Sequence, residues 1–450
     1  MKSILSRWCG MRINTVSIEN YRCFEKMEIS LHDRLTLFVG KNGAGKTTIL
    51  DAIAVAASTF LCGIEGGVAR RIDKEDAKYN FYEMEGIVDV QHQFPVMISG
   101  QGECNRKSNI EWTRSLNSSG GKTTIKEAQG LVKIAEQLQN RIMEGDSEVI
   151  LPILSYYGTG RLYAQKKEKR DLKTLQKFNR QVGYVDCMAA ESNEKMMLNW
   201  FEKMTMKSLQ NQQKTGVVEK IVQLKVVEAA ICKCFEKISG YGNPTISYDL
   251  DTHRIMLEYT DKSGEKCKFA MNEMSDGYKN TLSMIGDIAY RMAVLNPQLG
   301  ENVLDRTPGI ILIDEIDLHL HPEWQQTILS DLQSIFPLVQ FIVTSHAPAV
   351  INSVPRESVL VLDNGRVYRP AAQTYGRDAN SILREVMQVG DRPVEVQEKF
   401  SDFYRLIDED RIEEAEKLLN VIEKIVGDTD PEISAAWVSL DFGKMRREAE

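Results

Sequence analysis

Long apolar runs are the first thing missing from this 450-residue sequence. No stretch reaches the ~18–20 uninterrupted apolar residues of a membrane-spanning helix. The N-terminal MKSILSRWCG has too short an apolar run, and no small-residue cleavage pattern, for a signal peptide. A cytoplasmic protein without a membrane partner is expected. Paired cysteines are missing as well: Cys9, Cys23, Cys62, Cys104, Cys187, Cys232, Cys234 and Cys267 are scattered without C-x2-C spacing. They read as thiols of a reducing compartment, not as a zinc site or disulfide framework. Histidine is scarce, with six residues and none after His346, which excludes a histidine-dependent nuclease centre in the C-terminal part. There is no internal repeat, no low-complexity tract and no sustained heptad pattern, so long coiled-coil arms are excluded too. The excess of acidic over basic charge is confined to one end. The chain carries a net −8, and Ala371–Glu450 alone, with 19 acidic and 11 basic residues, accounts for all of it. Such a tail is ill suited to gripping phosphates and suits a protein-docking surface or a solvated helical face.

What is present is an α/β pattern in a composition 42% hydrophobic and 27% charged, as in soluble globular proteins. Ile13–Ile18 and Met27–Leu31 alternate as short strands around the turn-like Asn20-Tyr-Arg-Cys, and Leu35–Val39 is an apolar strand running into a glycine-rich turn. Ile49, Leu50, Ile53, Ala57 and Phe60 then recur at helical spacing. From about 80 to 125 the chain predicts an antiparallel lobe, followed by a helix over 125–144 and the strand Val149–Tyr157. Residues 161–240 are mostly helical by pattern, with Val217, Ile221, Leu224, Val227, Ile231 and Phe235 in one stripe. Antiparallel strands at 245–248 and 255–259 come next. A helix from about Gly277, a strand at 309–313, a helix from Glu323 and a strand at 340–344 complete an α/β core. Helices near 394–407 and 410–426 predict an αα-hairpin stopped by Gly427 and Pro431.

Gly40-Lys41-Asn42-Gly43-Ala44-Gly45-Lys46-Thr47 matches G-x-x-x-x-G-K-[ST] at every position, followed by Thr48. It stands after an apolar strand and before a helix, where such a loop must stand to wrap phosphates. Glycines let the amides point inward, the helix N-terminus adds positive potential, Lys46 reaches the β- and γ-phosphates, and Thr47 offers its hydroxyl to Mg²⁺. Gly120-Gly-Lys-Thr123 is a decoy, because Leu116 stands where the first glycine should be. Asp314-Glu315 ends the apolar strand Ile310–Ile313, the place where open α/β sheets bind ligands. Asp314 is expected to hold Mg²⁺, and Glu315 to polarise the attacking water. His346 ends the next strand, in Phe341-Ile-Val-Thr-Ser-His, and Met274-Ser-Asp-Gly-Tyr278 opens a helix with Ser275 and the Gly277 amide offered to an anion.

In order and spacing these motifs resemble the ABC ATPase superfamily. That resemblance implies a switch role for His346, a signature role for Met274, Ser275, Asp276 and Gly277, and a D-loop at Asp317. In that family two copies meet, and the signature of one caps the γ-phosphate held by the other. Asp276 and Tyr278 depart from the transporter signature L-S-G-G-Q. With Glu19-Asn-Tyr-Arg-Cys-Phe24, they resemble the RecF/SMC branch, by which analogy Arg22 touches the nucleotide. No glutamine stands out for the Q-loop; Gln91, Gln93, Gln101 and Gln165 all remain open.

Tyr156-Tyr-Gly-Thr-Gly-Arg-Leu162, Gly183-Tyr-Val-Asp-Cys187, the run Asp314–Pro322 and Tyr375–Leu383 are similar to the PtuA ATPase subunits of Septu and retron anti-phage systems. The resemblance implies ATP and Mg²⁺ as cofactors and a homodimer or larger homo-oligomer. It also implies a partner HNH nuclease and, in the retron form, a reverse transcriptase with its RNA–DNA hybrid. The expected organisation is an N-terminal ATPase lobe (1–160), a helical insertion (161–243), a C-terminal ATPase lobe (244–370) and an acidic helical module (371–450). Lys166, Lys167 and Arg170, in the most basic run of the chain, are candidate nucleic-acid contacts, though a solvated helix face fits them as well. The competing reading is a RecF-like repair ATPase acting on DNA directly.

Overall fold

The computed structural model describes residues 10–84, 87–162, 180–189, 194–216 and 220–449. They divide into two compact units, Met1–Arg377 and Asp378–Glu450.

The first unit begins with β1 (Met11–Tyr21), β2 (Phe24–Ser30), β3 (Leu35–Val39) and α1 (Lys46–Ser58). There follow β4 (Tyr79–Met84), β5 (Ile87–His92), β6 (Val96–Cys104), β7 (Lys107–Leu116), α2 (Gln129–Met143) and β8 (Ile153–Tyr157). Next come α3 (Glu194–Thr215), α4 (Val222–Ser239), β9 (Gly242–Asp249), β10 (Arg254–Thr260), β11 (Lys266–Ala270) and α5 (Asp276–Leu295). It closes with α6 (Val303–Arg306), β12 (Gly309–Ile313), α7 (Pro322–Ile335), β13 (Val339–Ser345), α8 (Pro348–Ile351), β14 (Val359–Asp363) and β15 (Arg366–Tyr368).

The fold is α/β, built on a six-stranded sheet in the order β15-β14-β3-β13-β12-β8. All its pairings are parallel except that of β15 with β14. Every residue of β3, β8, β12 and β13 is buried, which is why these strands read as mostly apolar and not as alternation, with a few polar residues such as Gln340 and Thr344 in β13. Ser345 pairs with Val39, and Ile313 pairs with both Val343 and Tyr157. The C-terminal ends of β3, β13, β12 and β8 therefore line one edge of the sheet.

Of the antiparallel lobe expected over 80–125, β6 and β7 join β1 and β2 in the sheet β2-β1-β6-β7, whereas β4 and β5 pair only with each other. Two side chains fasten the β2-β1-β6-β7 sheet to the core. Buried Gln340 of β13 accepts from the Ile13 amide at 3.0 Å and donates to the Ile13 carbonyl at 2.8 Å, where a bulge interrupts β1. The Trp112 indole donates to the Ala56 carbonyl of α1 at 2.9 Å. The span Lys46–Gly63, apolar and long enough to cross a bilayer, is 78% buried and forms the central helix of this core.

In the second unit, α9 (Ala379–Glu385) is capped by Asp378, whose carboxylate accepts from the Ser381 amide. The predicted hairpin is α10 (Val394–Asp408) and α11 (Ile412–Val426), and a third helix, α12 (Pro431–Ala449), joins it. Phe400, Phe403, Ala415, Leu419, Ile422, Ala436 and Leu440 make the shared core. Pro431 ends the hairpin but is also the first residue of α12, a position where its fixed φ and missing N–H cost nothing.

Candidate functional site

The glycine-rich turn leaves β3 at Val39, and α1 starts at Lys46. Gly45 adopts φ 101°, and a Cβ there would lie 2.7 Å from the Phe24 ring. The position needs glycine for both its left-handed backbone and its close approach. No side chain caps α1, so its first-turn amides are presented to an anion. Lys46 is buried and donates from Nζ to the carbonyls of Gly40 (2.7 Å) and Lys41 (3.1 Å). Burial lowers its pKa, and the carboxylates of Glu315, Asp314 and Asp317 oppose that shift.

Asp314, at the end of β12, is almost fully buried. Thr47 Oγ1 donates to its Oδ2 at 2.8 Å, and Thr344 Oγ1 to its Oδ1 at 2.6 Å. The hydroxyl and carboxylate oxygens thus gathered are the hard ligands that Mg²⁺ takes beside water and phosphate oxygens. Thr47 and Asp314 fit the ion. The Glu315 amide donates to Thr344 Oγ1 at 2.8 Å. Glu315 itself has φ 48°, a left-handed conformation that costs a non-glycine residue about 1–3 kcal/mol. His346 follows β13, and its Nδ1 is 3.4 Å from Asp317 Oδ2. The sheet thus gathers the P-loop, Asp314, Glu315, Asp317 and His346 at one edge.

Arg22, expected at the nucleotide, is committed to carboxylates beside α1. Its Nη1 donates to Asp51 Oδ2 at 2.6 Å and its Nε to Asp76 Oδ1 at 2.8 Å. Gln91 lies on β5, Gln93 just beyond it and Gln101 on β6, so none of these stands at the ends of the parallel strands. Gln165, Lys166, Lys167 and Arg170 lie outside the described residues.

The segment Met274–Gly277 opens α5, with Ser275 as the residue before its first turn. Gly277 is buried, and a Cβ there would fall 2.6 Å from the His319 carbonyl oxygen. Tyr278 sets its ring edge-on to Trp324 of α7, 4.3 Å between centroids. Among the described residues, no hydrogen bond or ion pair joins Ser275, Asp276 or Gly277 to the P-loop.

Sequence reasoning missed the groups that surround this edge. Asp51 of α1 accepts from Arg22 and from the Tyr156 hydroxyl (3.0 Å), and forms an ion pair with Arg70, whose Nη1 lies 2.9 Å from Oδ1. The Tyr157 hydroxyl donates to Asp287 Oδ2 of α5 at 2.8 Å, as does Arg291 Nε at 2.7 Å. Buried Arg291 also donates from Nη1 to the carbonyls of Gly183 and Val185. Two adjacent tyrosines closing an apolar strand were the only visible trace of this arrangement.

Comparison with known proteins places the chain among ATPases. Residues 15–239 match the family described as AAA domain. Residues 235–352 match a second AAA domain family, whose description adds AbiEii toxin and Type IV TA system. The chain is 24% identical over 425 residues to "Retron Vc95 probable ATPase" of Vibrio cholerae serotype O1 biovar El Tor, covering 85% of this chain and 80% of that one. It is 26% identical over 453 residues to "Retron Ec83 probable ATPase" of Escherichia coli (86% and 78%). To "Septu protein PtuA" of Bacillus thuringiensis it is 23% identical over 425 residues (92% and 93%).

Proposed function

The chain belongs to the AAA domain family, an ATP-hydrolysing enzyme by that membership; on this premise we propose that it is the ATPase subunit of an anti-phage defence assembly, in which ATP-driven meeting of two copies gates a partner HNH nuclease. The observation that carries the reading is the split of the nucleotide chemistry. Lys46, Thr47, Asp314 and Glu315 gather at one edge of the sheet, while the signature Ser275–Gly277 makes no bond to them. A signature so placed has work to do only on a nucleotide held by another copy.

In the assembled site the P-loop amides and Lys46 bind the phosphates of ATP. Thr47 and Asp314 would hold Mg²⁺, which neutralises phosphate charge when bound. Glu315 accepts a proton from the attacking water, its backbone fixed by Thr344. His346, oriented by Asp317, faces the departing γ-phosphate. Ser275 and the Gly277 amide, at the start of α5, cap that phosphate from the other copy.

On this reading the output of the nucleotide chemistry passes to a partner. The relatives named for retrons and Septu support a place in such a defence system; the nuclease and, in the retron form, a reverse transcriptase with its RNA–DNA hybrid are what the proposal adds. The acidic second unit, with its exposed Val438, Phe442 and Met445, is the docking surface we favour. The test is co-purification from the native gene cluster, with mass spectrometry and nuclease digestion of what is retained. An HNH protein in the complex supports the reading. A partner-free homodimer whose ATPase activity rises with DNA overturns it in favour of a RecF-like repair enzyme.

A further inference from the structure

The dipeptide Tyr156-Tyr157 closes β8, and its two side chains leave the sheet on opposite faces, as successive strand residues must. On one face the Tyr156 hydroxyl donates to Asp51, one turn into the helix that follows the P-loop. On the other, the Tyr157 hydroxyl donates to Asp287, in the helix that begins with the signature. The backbone between them is tied in as well, since the Asp314 amide donates to the Tyr157 carbonyl at 2.8 Å. One strand end therefore touches the P-loop helix, the Mg²⁺-ligand strand and the signature helix.

The contacts are built to hold. Both tyrosines are buried, so each hydroxyl must keep its partner or leave a polar group unsatisfied. Burial and then the nearby carboxylate push both phenols far above their ordinary pKa, which keeps them donors at every working pH. On the signature side, Asp287 receives Tyr157 and Arg291 on the same oxygen. Arg291 in turn anchors to Gly183 and Val185. On the P-loop side, Asp51 is held by Arg22 and Arg70, and the Arg70 guanidinium lies 4.9 Å over the Tyr156 ring. A shift of α1 cannot leave β8 unmoved, and a shift of β8 carries α5.

We propose that Tyr156 and Tyr157 are positioning residues that couple the P-loop of a protomer to its own signature. The inference rests on the two-copy reading above. In that arrangement the P-loop and signature of one protomer serve two different nucleotides, so a link between them makes the two sites cooperative.

The experiment is ATP turnover by the full chain as a function of ATP concentration. Wild type is expected to show a Hill coefficient clearly above 1 and at most about 2, the limit for two sites. Tyr157→Phe, which keeps the ring and removes the hydroxyl, should bring the coefficient to about 1 and leave half-saturating ATP within about threefold, because no P-loop contact is touched. Tyr156→Phe should do the same from the opposite face, and the double variant should lose no more than either alone. Melting temperatures of the variants near wild type separate this from a general loss of structure. A wild-type coefficient of 1, or cooperativity kept in both single variants, overturns the coupling. Ser275→Arg serves as the control: if it turns over normally, the two-copy reading itself is wrong, and if it is inactive while Tyr157→Phe stays cooperative, only the coupling fails.

Discussion

Thr47 Oγ1 donates to Asp314 Oδ2 at 2.8 Å across a sequence separation of 267 residues. That contact joins the helix that follows the glycine loop to the end of β12, and it sets where divalent-cation chemistry can occur. Thr47→Ala is expected to weaken the Mg²⁺ dependence of turnover and to leave nucleotide binding less affected. Chelation with EDTA should abolish turnover by the wild type. Glu315→Gln, which keeps the shape and removes the proton acceptor, should lower turnover by about 10²–10⁴-fold while ATP still binds and ATP-bound dimers accumulate. Radiolabelled hydrolysis and size-exclusion chromatography with ATP check both; normal hydrolysis by Glu315→Gln would dismiss the role given to it.

Gly277 meets the His319 carbonyl so closely that any Cβ would stand 2.6 Å from it. Gly277→Ala must push the start of α5 away from the loop before α7, at about 1–3 kcal/mol for such overpacking. Thermal unfolding should show the loss. Turnover should fall by at least about tenfold while ATP affinity of the single chain holds, since the P-loop is untouched. Equal losses in affinity and turnover would count against a separate signature role.

Cys23 is exposed and lies against Gly45, its Sγ 3.1 Å from where a Cβ of that glycine would be. A carbamidomethyl group there should raise the ATP concentration needed for half-saturation, and bound ATP should slow alkylation. Partial desolvation of the thiol by its neighbours holds it above its ordinary pKa of 9. Its alkylation should therefore be slow at neutral pH and still be accelerating beyond pH 9. Peptide mapping after iodoacetamide treatment with and without ATP gives the answer, and equal labelling in both would refute the proximity.

In the second unit, Arg392 grips Asp430 through two hydrogen bonds of 2.8 and 2.9 Å and also pairs with Glu432. The bond from Arg392 holds the Asp430 carboxyl below its ordinary pKa. A depressed carboxylate contributes stability above its unfolded value near 4 and loses it as pH falls through the folded value. The start of α12 should therefore be unaffected from pH 6 down to about 4 and loosen progressively as pH falls below that. Asp430→Asn should flatten that dependence. Hydrogen exchange across 431–449, corrected for intrinsic rates, measures it.

The parallel strands and the motifs at their ends were legible because burial on both faces favours apolar residues along most of their length, and phosphate chemistry tolerates few substitutes. Leu35–Val39 and Ile310–Ile313 announced themselves in this way. Arg22 was singled out from the linear motif, and its carboxylate partners, Asp51 and Asp76, become visible only when distant segments meet. Asp287 and Arg291 were silent for a related reason: inside a helix an i,i+4 acid–base pair reads as an exposed face, yet here Arg291 is buried. The third helix of the second unit was hidden because its apolar residues fall on both sides. Ala436 and Leu440 face the core, whereas Val438 and Phe442 face out, which erases the one-sided periodicity a reader relies on.

The strand order carries a cost that is felt at the ribosome. β3, whose five residues are all buried, lies between β13 and β14, and the first of these neighbours begins 300 residues after β3 ends. At about 5–20 residues per second, synthesis leaves the strand without either partner for roughly 15–60 seconds. Through that interval an apolar segment with two bare edges has to be kept from pairing with other chains. A chain cut short anywhere before Val339 never escapes that condition, so truncated products should appear in the insoluble fraction even when they contain every residue of the glycine-rich loop.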